Sequence, residues 1–137
     1  MTYAPVQCRL PWAPDTVAAV EIPELADLIW LFEDEPASDC GEAWPVGLQS
    51  FRLRRADREV LFSLDPLAGD ANISLYVAGQ EMVSIGRLRR VEKLTVVKKE
   101  GYEGLELVFV GARHDPVVLQ TRPVIRLSWD VAPLGTW

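Results

Sequence analysis

Apolar positions recur first with a helical period and then with a strand period, and the switch falls near residue 48. Leu25, Leu28, Ile29 and Phe32 take the i, i+3, i+4, i+7 spacing of one buried helix face, widened by Trp30 and Leu31. Pro23 suits the first helical turn, where its missing N–H costs no bond, and Glu24 suits the positive end of the helix dipole. Pro36 ends the segment, because the residue before a proline avoids the α region. The pattern predicts one helix over 23–35. An extended arm over 1–16, with Pro5, Pro11, Trp12 and Pro14, precedes it and leads into Thr16–Ile22. Residues 36–47 (PASDCGEAWPVG) are rich in turn formers and predict a loop.

From Leu48 onward apolar and polar residues alternate. Phe51 and Leu53 alternate with Arg52 and Arg54, and Val60–Leu64 follows a charged turn at 56–58. Ile73, Leu75 and Val77 alternate next, and 78–81 (AGQE) predicts a tight hairpin into Met82–Ile85. Further strands are predicted at Leu94–Val97, Leu105–Phe109, Val117–Leu119 and Val124–Trp129, the last with Ile125, Leu127 and Trp129 inward. The two-sided apolar runs at Val96-Val97 and 108–110 predict central strands covered on both faces. The expected fold class is α+β, mostly β. A meandering antiparallel sheet of about seven or eight strands occupies 48–130, curled into a half-barrel or sandwich, with the N-terminal helix packed against it and a tail over 131–137.

A length of 137 residues predicts a single domain over 1–137, and 49% apolar residues are too many for a disordered chain. No apolar run approaches the roughly 18 residues of a membrane-spanning helix. The N-terminus has neither the basic nor the apolar region of a secretory signal, so a cytoplasmic protein with reduced thiols at Cys8 and Cys40 is expected. The net charge of −6 argues against direct nucleic-acid or anionic-membrane binding, both of which need a positive footprint.

Position sharpens that charge. Residues 1–48 hold nine acidic side chains and one basic, whereas residues 49–137 hold eleven acidic and thirteen basic. Glu21, Glu24, Asp27, Glu33, Asp34, Glu35, Asp39 and Glu42 follow one another with no Lys or Arg between them. Such density repels itself unless water or a basic surface screens it. The acidic third therefore either shields arginines of the sheet or faces a basic partner. The basic residues form two groups, Arg52, Arg54, Arg55 and Arg58, and Arg87, Arg89, Arg90 and Lys93. They would join into a stripe if their strands were neighbours, and a solvated sheet face is the expected role.

Catalytic signatures are missing. With His114 as the sole histidine, multi-histidine metal sites are excluded, and a zinc site would need Cys8, Cys40, His114 and a carboxylate from four distant places. A Cys40–His114–Asp115 nucleophilic set is opposed by the acidic setting of Cys40, which disfavours its thiolate. No phosphate-binding glycine loop, nucleophile elbow or calcium loop occurs. No cofactor, metal or catalytic residue is assigned.

The acidic run and its aromatics remain the most distinctive feature. Trp30, Glu33, Asp34, Glu35, Asp39, Glu42 and Trp44 combine aromatic anchors with a charged rim, the composition of a docking surface. The expectation is a small acidic protein-binding module of a bacterial type, an inhibitor or immunity-type protein that neutralises a basic partner such as a toxin by occlusion. The alternatives are a small-ligand-binding β-barrel or hydrolase-like protein, and a nucleic-acid mimic. A filled core beside an exposed acid–aromatic patch would favour the binding module over the barrel. A homodimer through a sheet edge is also compatible with the sequence.

Overall fold

A computed structural model describes residues 20–38, 41, 43–110 and 116–129, with only the backbone at 87. The predicted arm with Cys8, the positions of Asp39, Cys40 and Glu42, the turn bearing His114 and Asp115, and the tail lie outside the described residues.

The helix α1 runs Leu25–Phe32, inside the predicted 23–35. Its buried residues are Leu28, Leu31 and Phe32. Leu25 and Ile29 are only half-buried, so the face that meets the core is turned toward Leu31 from the one the spacing predicts. Glu33 closes the helix with φ of 64°, in the left-handed region, and its N–H donates to the Ile29 carbonyl at 2.6 Å. A glycine usually holds that position, because a Cβ there is crowded. Glu33 therefore occupies it at a conformational cost that contacts elsewhere must offset.

Two antiparallel sheets follow, each a meander in chain order. The first has five strands: β1 Ala37–Ser38, β2 Gln49–Arg55, β3 Arg58–Asp65, β4 Asp70–Val77 and β5 Gln80–Leu88. The second has four: β6 Val91–Lys99, β7 Tyr102–Phe109, β8 Val117–Arg122 and β9 Arg126–Ser128. The strand beyond the expected number is β1, two residues of the predicted loop that pair with Ser50 and Gln49. The β4–β5 turn is tighter than expected. Ala78 and Gly79 both have positive φ (53° and 82°), the backbone of a two-residue hairpin turn that matches the twist of its strands.

Alternation along the strands sends one row inward. Phe51 and Leu53 of β2, Val60, Phe62 and Leu64 of β3, and Ala71 and Ile73 of β4 are buried from one sheet. Leu94 of β6, Leu105, Leu107 and Phe109 of β7, and Val117 and Leu119 of β8 are buried from the other. These join the α1 face in one core cluster. Its centre is aromatic, with Phe32 stacked on Phe51 at 5.1 Å and on Phe62 at 6.0 Å between ring centroids. The described strands form two open sheets over one apolar core, not a closed barrel.

Two expectations need correction. β6, the strand of Val96 and Val97, lies at an edge of its sheet, not at the centre. Backbone bonds with Glu21 cover that edge: the Glu21 N–H donates to Glu92 O at 2.9 Å and the Leu94 N–H donates to Glu21 O at 2.8 Å. Trp129 is 45% exposed, because β9 ends at Ser128. The two basic groups do not join into a stripe, since β3 and β4 stand between β2 and β5.

Candidate functional site

The surface where α1 ends is built from three chain segments distant in sequence. β2 ends at Arg55, just before a two-residue turn in which Ala56 takes a φ of 54°. β6 and β7 meet at a turn between Lys99 and Tyr102 that requires a φ of 97° at Gly101. β8 ends at Arg122, opposite Glu103 of β7.

A β-bulge aims the last of these. Glu103 pairs with Arg122 and Gly104 with Gln120, which leaves Thr121 as an extra residue on β8. Bulges bend a strand and redirect its side chains. The Thr121 hydroxyl donates to the Glu103 carbonyl at 3.2 Å, so the buried polar group is satisfied. Gly104 allows the close approach, because a Cβ at that position would lie 2.5 Å from the Leu119 carbonyl oxygen.

Arg122 thereby becomes the hub of a charged network. Its Nη1 donates to Glu103 Oε1 at 2.7 Å, and its Nη2 donates to Glu33 Oε2 at 3.1 Å and to the Trp30 carbonyl at 3.2 Å. Arg55 Nη2 donates to the same oxygen of Glu33. These bonds hold the Arg122 guanidinium above its ordinary pKa, first through Glu103 and then through Glu33. The Arg122 guanidinium lies 4.6 Å from the centroid of the Trp30 ring and Lys98 Nζ lies 4.3 Å from it, so two cations attend one indole. Lys98 also pairs with Asp27 at 3.7 Å. Trp30 remains 37% exposed.

Beside this network lies an open cleft of about 370 Å³, lined by Arg55, Tyr102, Glu103, Arg122, Pro123 and the β6–β7 turn at Lys99 and Gly101. A second groove of about 280 Å³ shares Arg55 and Pro123 and continues past Arg58, whose Nη1 donates to the Ile125 carbonyl at 2.7 Å.

The residues singled out from sequence divide into groups. Trp30 and Glu33 lie in the network, and Asp34 and Glu35 are exposed directly after them. Trp44 is half-buried and packs edge-on against Phe51 at 5.7 Å, which places it with the core. Asp39 and Glu42 lie outside the described residues. The choice between shielding and display falls differently at different carboxylates. Glu21 pairs with Lys93 at 3.9 Å, Asp27 with Lys98, and Glu33 with two arginines. Among the described residues, no cation lies within ion-pair distance of Glu24, Asp34 or Glu35. Similarly, Arg52 and Arg54 both reach Glu59, at 3.0 and 3.4 Å. Sequence reasoning passed over Arg122, Glu103, Lys98, Lys99 and Tyr102, and no local signal marks them, since their significance arises only when α1 docks.

No group of three or more potential metal ligands occurs among the described residues, and no described helix is long and apolar enough to cross a membrane. No protein-family model and no curated sequence matches the chain. In fold, the chain is similar to a chain of a contact-dependent growth inhibition toxin–immunity protein complex from Klebsiella pneumoniae 342. The TM-score is 0.71 at 14% identity, over 83% of this chain and 98% of that one.

Proposed function

We propose that this chain is an immunity-type protein, a small acidic module that binds a basic, toxin-like protein and occludes its working surface. The observation that carries this proposal is the fold shared with a chain of a toxin–immunity complex over nearly the whole of that chain. The acidity of the present chain, and a sequence without a catalytic signature, favour the immunity side over the toxin side.

The contact surface is centred on Trp30, with Asp34 and Glu35 as its displayed carboxylates and Asp39 and Glu42 following in sequence. Trp30 supplies an aromatic anchor whose position is fixed by Lys98 and Arg122 before any partner arrives. A fixed anchor loses less freedom on binding. Glu33 holds the surface together from within, and Trp44 supports it from the core. The unpaired acids speed capture of a positive partner, and occlusion follows from docking. Such a protein works in the cytoplasm of a bacterium that makes the toxin. The open sheets over an apolar core support a binding module over a ligand barrel, and the concentration of carboxylates between Glu21 and Glu42, rather than in a long regular array, disfavours a nucleic-acid mimic.

The test is co-expression with toxin-like polypeptides encoded by whichever genes adjoin the one for this chain. Growth protection by this chain, together with a stable complex of the purified proteins, is the expected result. Absence of both would sink the proposal. A second assembly rests on β5, the outer strand of its sheet, where Met82 is 61% exposed. An edge of nine residues suits pairing with a second copy, and sedimentation of the isolated protein reads it directly.

A further inference from the structure

The cleft beside α1 carries more positive charge than the surrounding network neutralises. Arg55, Lys99 and Arg122 line it against one carboxylate, Glu103, and Glu33 supplies a second to the two arginines. Among the described residues no carboxylate lies within ion-pair distance of Lys99, whose ammonium sits 6.0 Å from the centroid of the Tyr102 ring. Arg55 Nε is buried without an acceptor. Two guanidinium groups and an ammonium around one open cleft form a donor set for a planar oxyanion.

We infer that this cleft receives an aspartate or glutamate side chain of the partner, an inference that rests on the partner-binding function proposed above. A protein carboxylate is favoured over a nucleic-acid phosphate because the chain as a whole carries −6 and repels an approaching polyanion. A single acidic side chain on a basic partner is carried in by the attraction its neighbours feel. The docking surface is then two-signed: Asp34 and Glu35 meet cations of the partner, and the cleft meets an anion. Opposite signs side by side fix orientation, because a rotated partner would juxtapose like charges.

Two measurements test it. In the first, acetate is titrated into the isolated protein at constant ionic strength, with chloride as the control, while the Nε resonances of Arg55 and Arg122 are followed by NMR. Saturable shifts with acetate, weakened about tenfold by Lys99→Glu, are expected. Shifts that do not saturate, that chloride reproduces, or that only inorganic phosphate induces would overturn the inference. In the second, the neighbouring-gene polypeptide used in the co-expression test is bound to wild type, to Lys99→Glu and to the Asp34→Ala, Glu35→Ala double variant. A loss of about tenfold or more in affinity for Lys99→Glu is expected. If the double variant weakens binding and Lys99→Glu does not, the cleft inference fails and the proposed function stands. If wild type binds nothing, the function fails, and the partner's carboxylate with it.

Discussion

Glu33 Oε2 accepts a hydrogen bond from Arg122 Nη2 at 3.1 Å across 89 residues of sequence, so the end of α1 is tied to the end of β8. Arg55 joins the same oxygen from β2, and the three residues fasten the helix to both sheets. Glu33 is partly exposed, so solvent screens each pair. Glu33→Gln is expected to lower stability by about 0.5–1 kcal/mol, read as a fall of a few degrees in Tm.

The left-handed backbone at Glu33 separates two contributions. Glu33→Ala removes the ion pairs and keeps the crowded Cβ, whereas Glu33→Gly removes both. The glycine variant is therefore expected to be more stable than the alanine variant by about 1 kcal/mol in chemical denaturation.

Gly104 carries the closest backbone approach around the bulge. A Cβ 2.5 Å from the Leu119 carbonyl has backbone, not a flexible side chain, in its way. Gly104→Ala is expected to cost about 2–3 kcal/mol. It should also shift the amide resonances of Thr121 and Arg122 while leaving those of β3 and β4 in place.

The raised pKa of Arg122, due first to Glu103 and then to Glu33, has a definite sign. A group whose folded pKa exceeds its unfolded value adds stability that is complete below the unfolded pKa and lost only as pH climbs through the folded one. For a guanidinium that loss lies in strong alkali. The stability difference between wild type and Arg122→Gln is therefore expected to be the same at pH 7 and pH 9, and a difference that shrinks over this interval would contradict the assignment.

Trp30 and Phe32 are neighbours on α1 with opposite duties. Phe32→Ala removes a buried ring stacked on Phe51 and Phe62, and about 3–5 kcal/mol of stability is expected to go with it. Trp30→Ala is expected to cost about 1 kcal/mol or less in stability and about tenfold or more in partner affinity. Paired denaturation and calorimetry distinguish the two.

Much of the architecture was legible because it is local. Phe51, Leu53 and Val60 alternate within their own strands, and Leu28 and Phe32 declare a helix face within two turns. Their burial needs no knowledge of the partner strand. The edge position of β6 was not legible, because an apolar run reads alike whether its second face meets a strand, a helix or the Glu21 segment. The candidate site was legible at one end only. Trp30 and Glu33 stood out through the acidic run. Arg122 and Glu103 owe their roles to a bulge at Thr121, and nothing near Arg122 in sequence encodes which carboxylate, 89 positions away, will meet it.

The fastening of α1 also constrains how this surface is able to diverge. Glu33, Arg55, Glu103 and Arg122 each serve at least one of the others, so losing Glu33 leaves Arg55 without its counterpart and losing Arg122 leaves Glu103 without one. Asp34, Glu35, Lys99 and Tyr102 surround them and are free of that obligation. A lineage acquiring a new partner would be expected to vary this outer ring quickly and to exchange the inner four only together, giving a surface whose recognition is retuned while its frame is inherited intact.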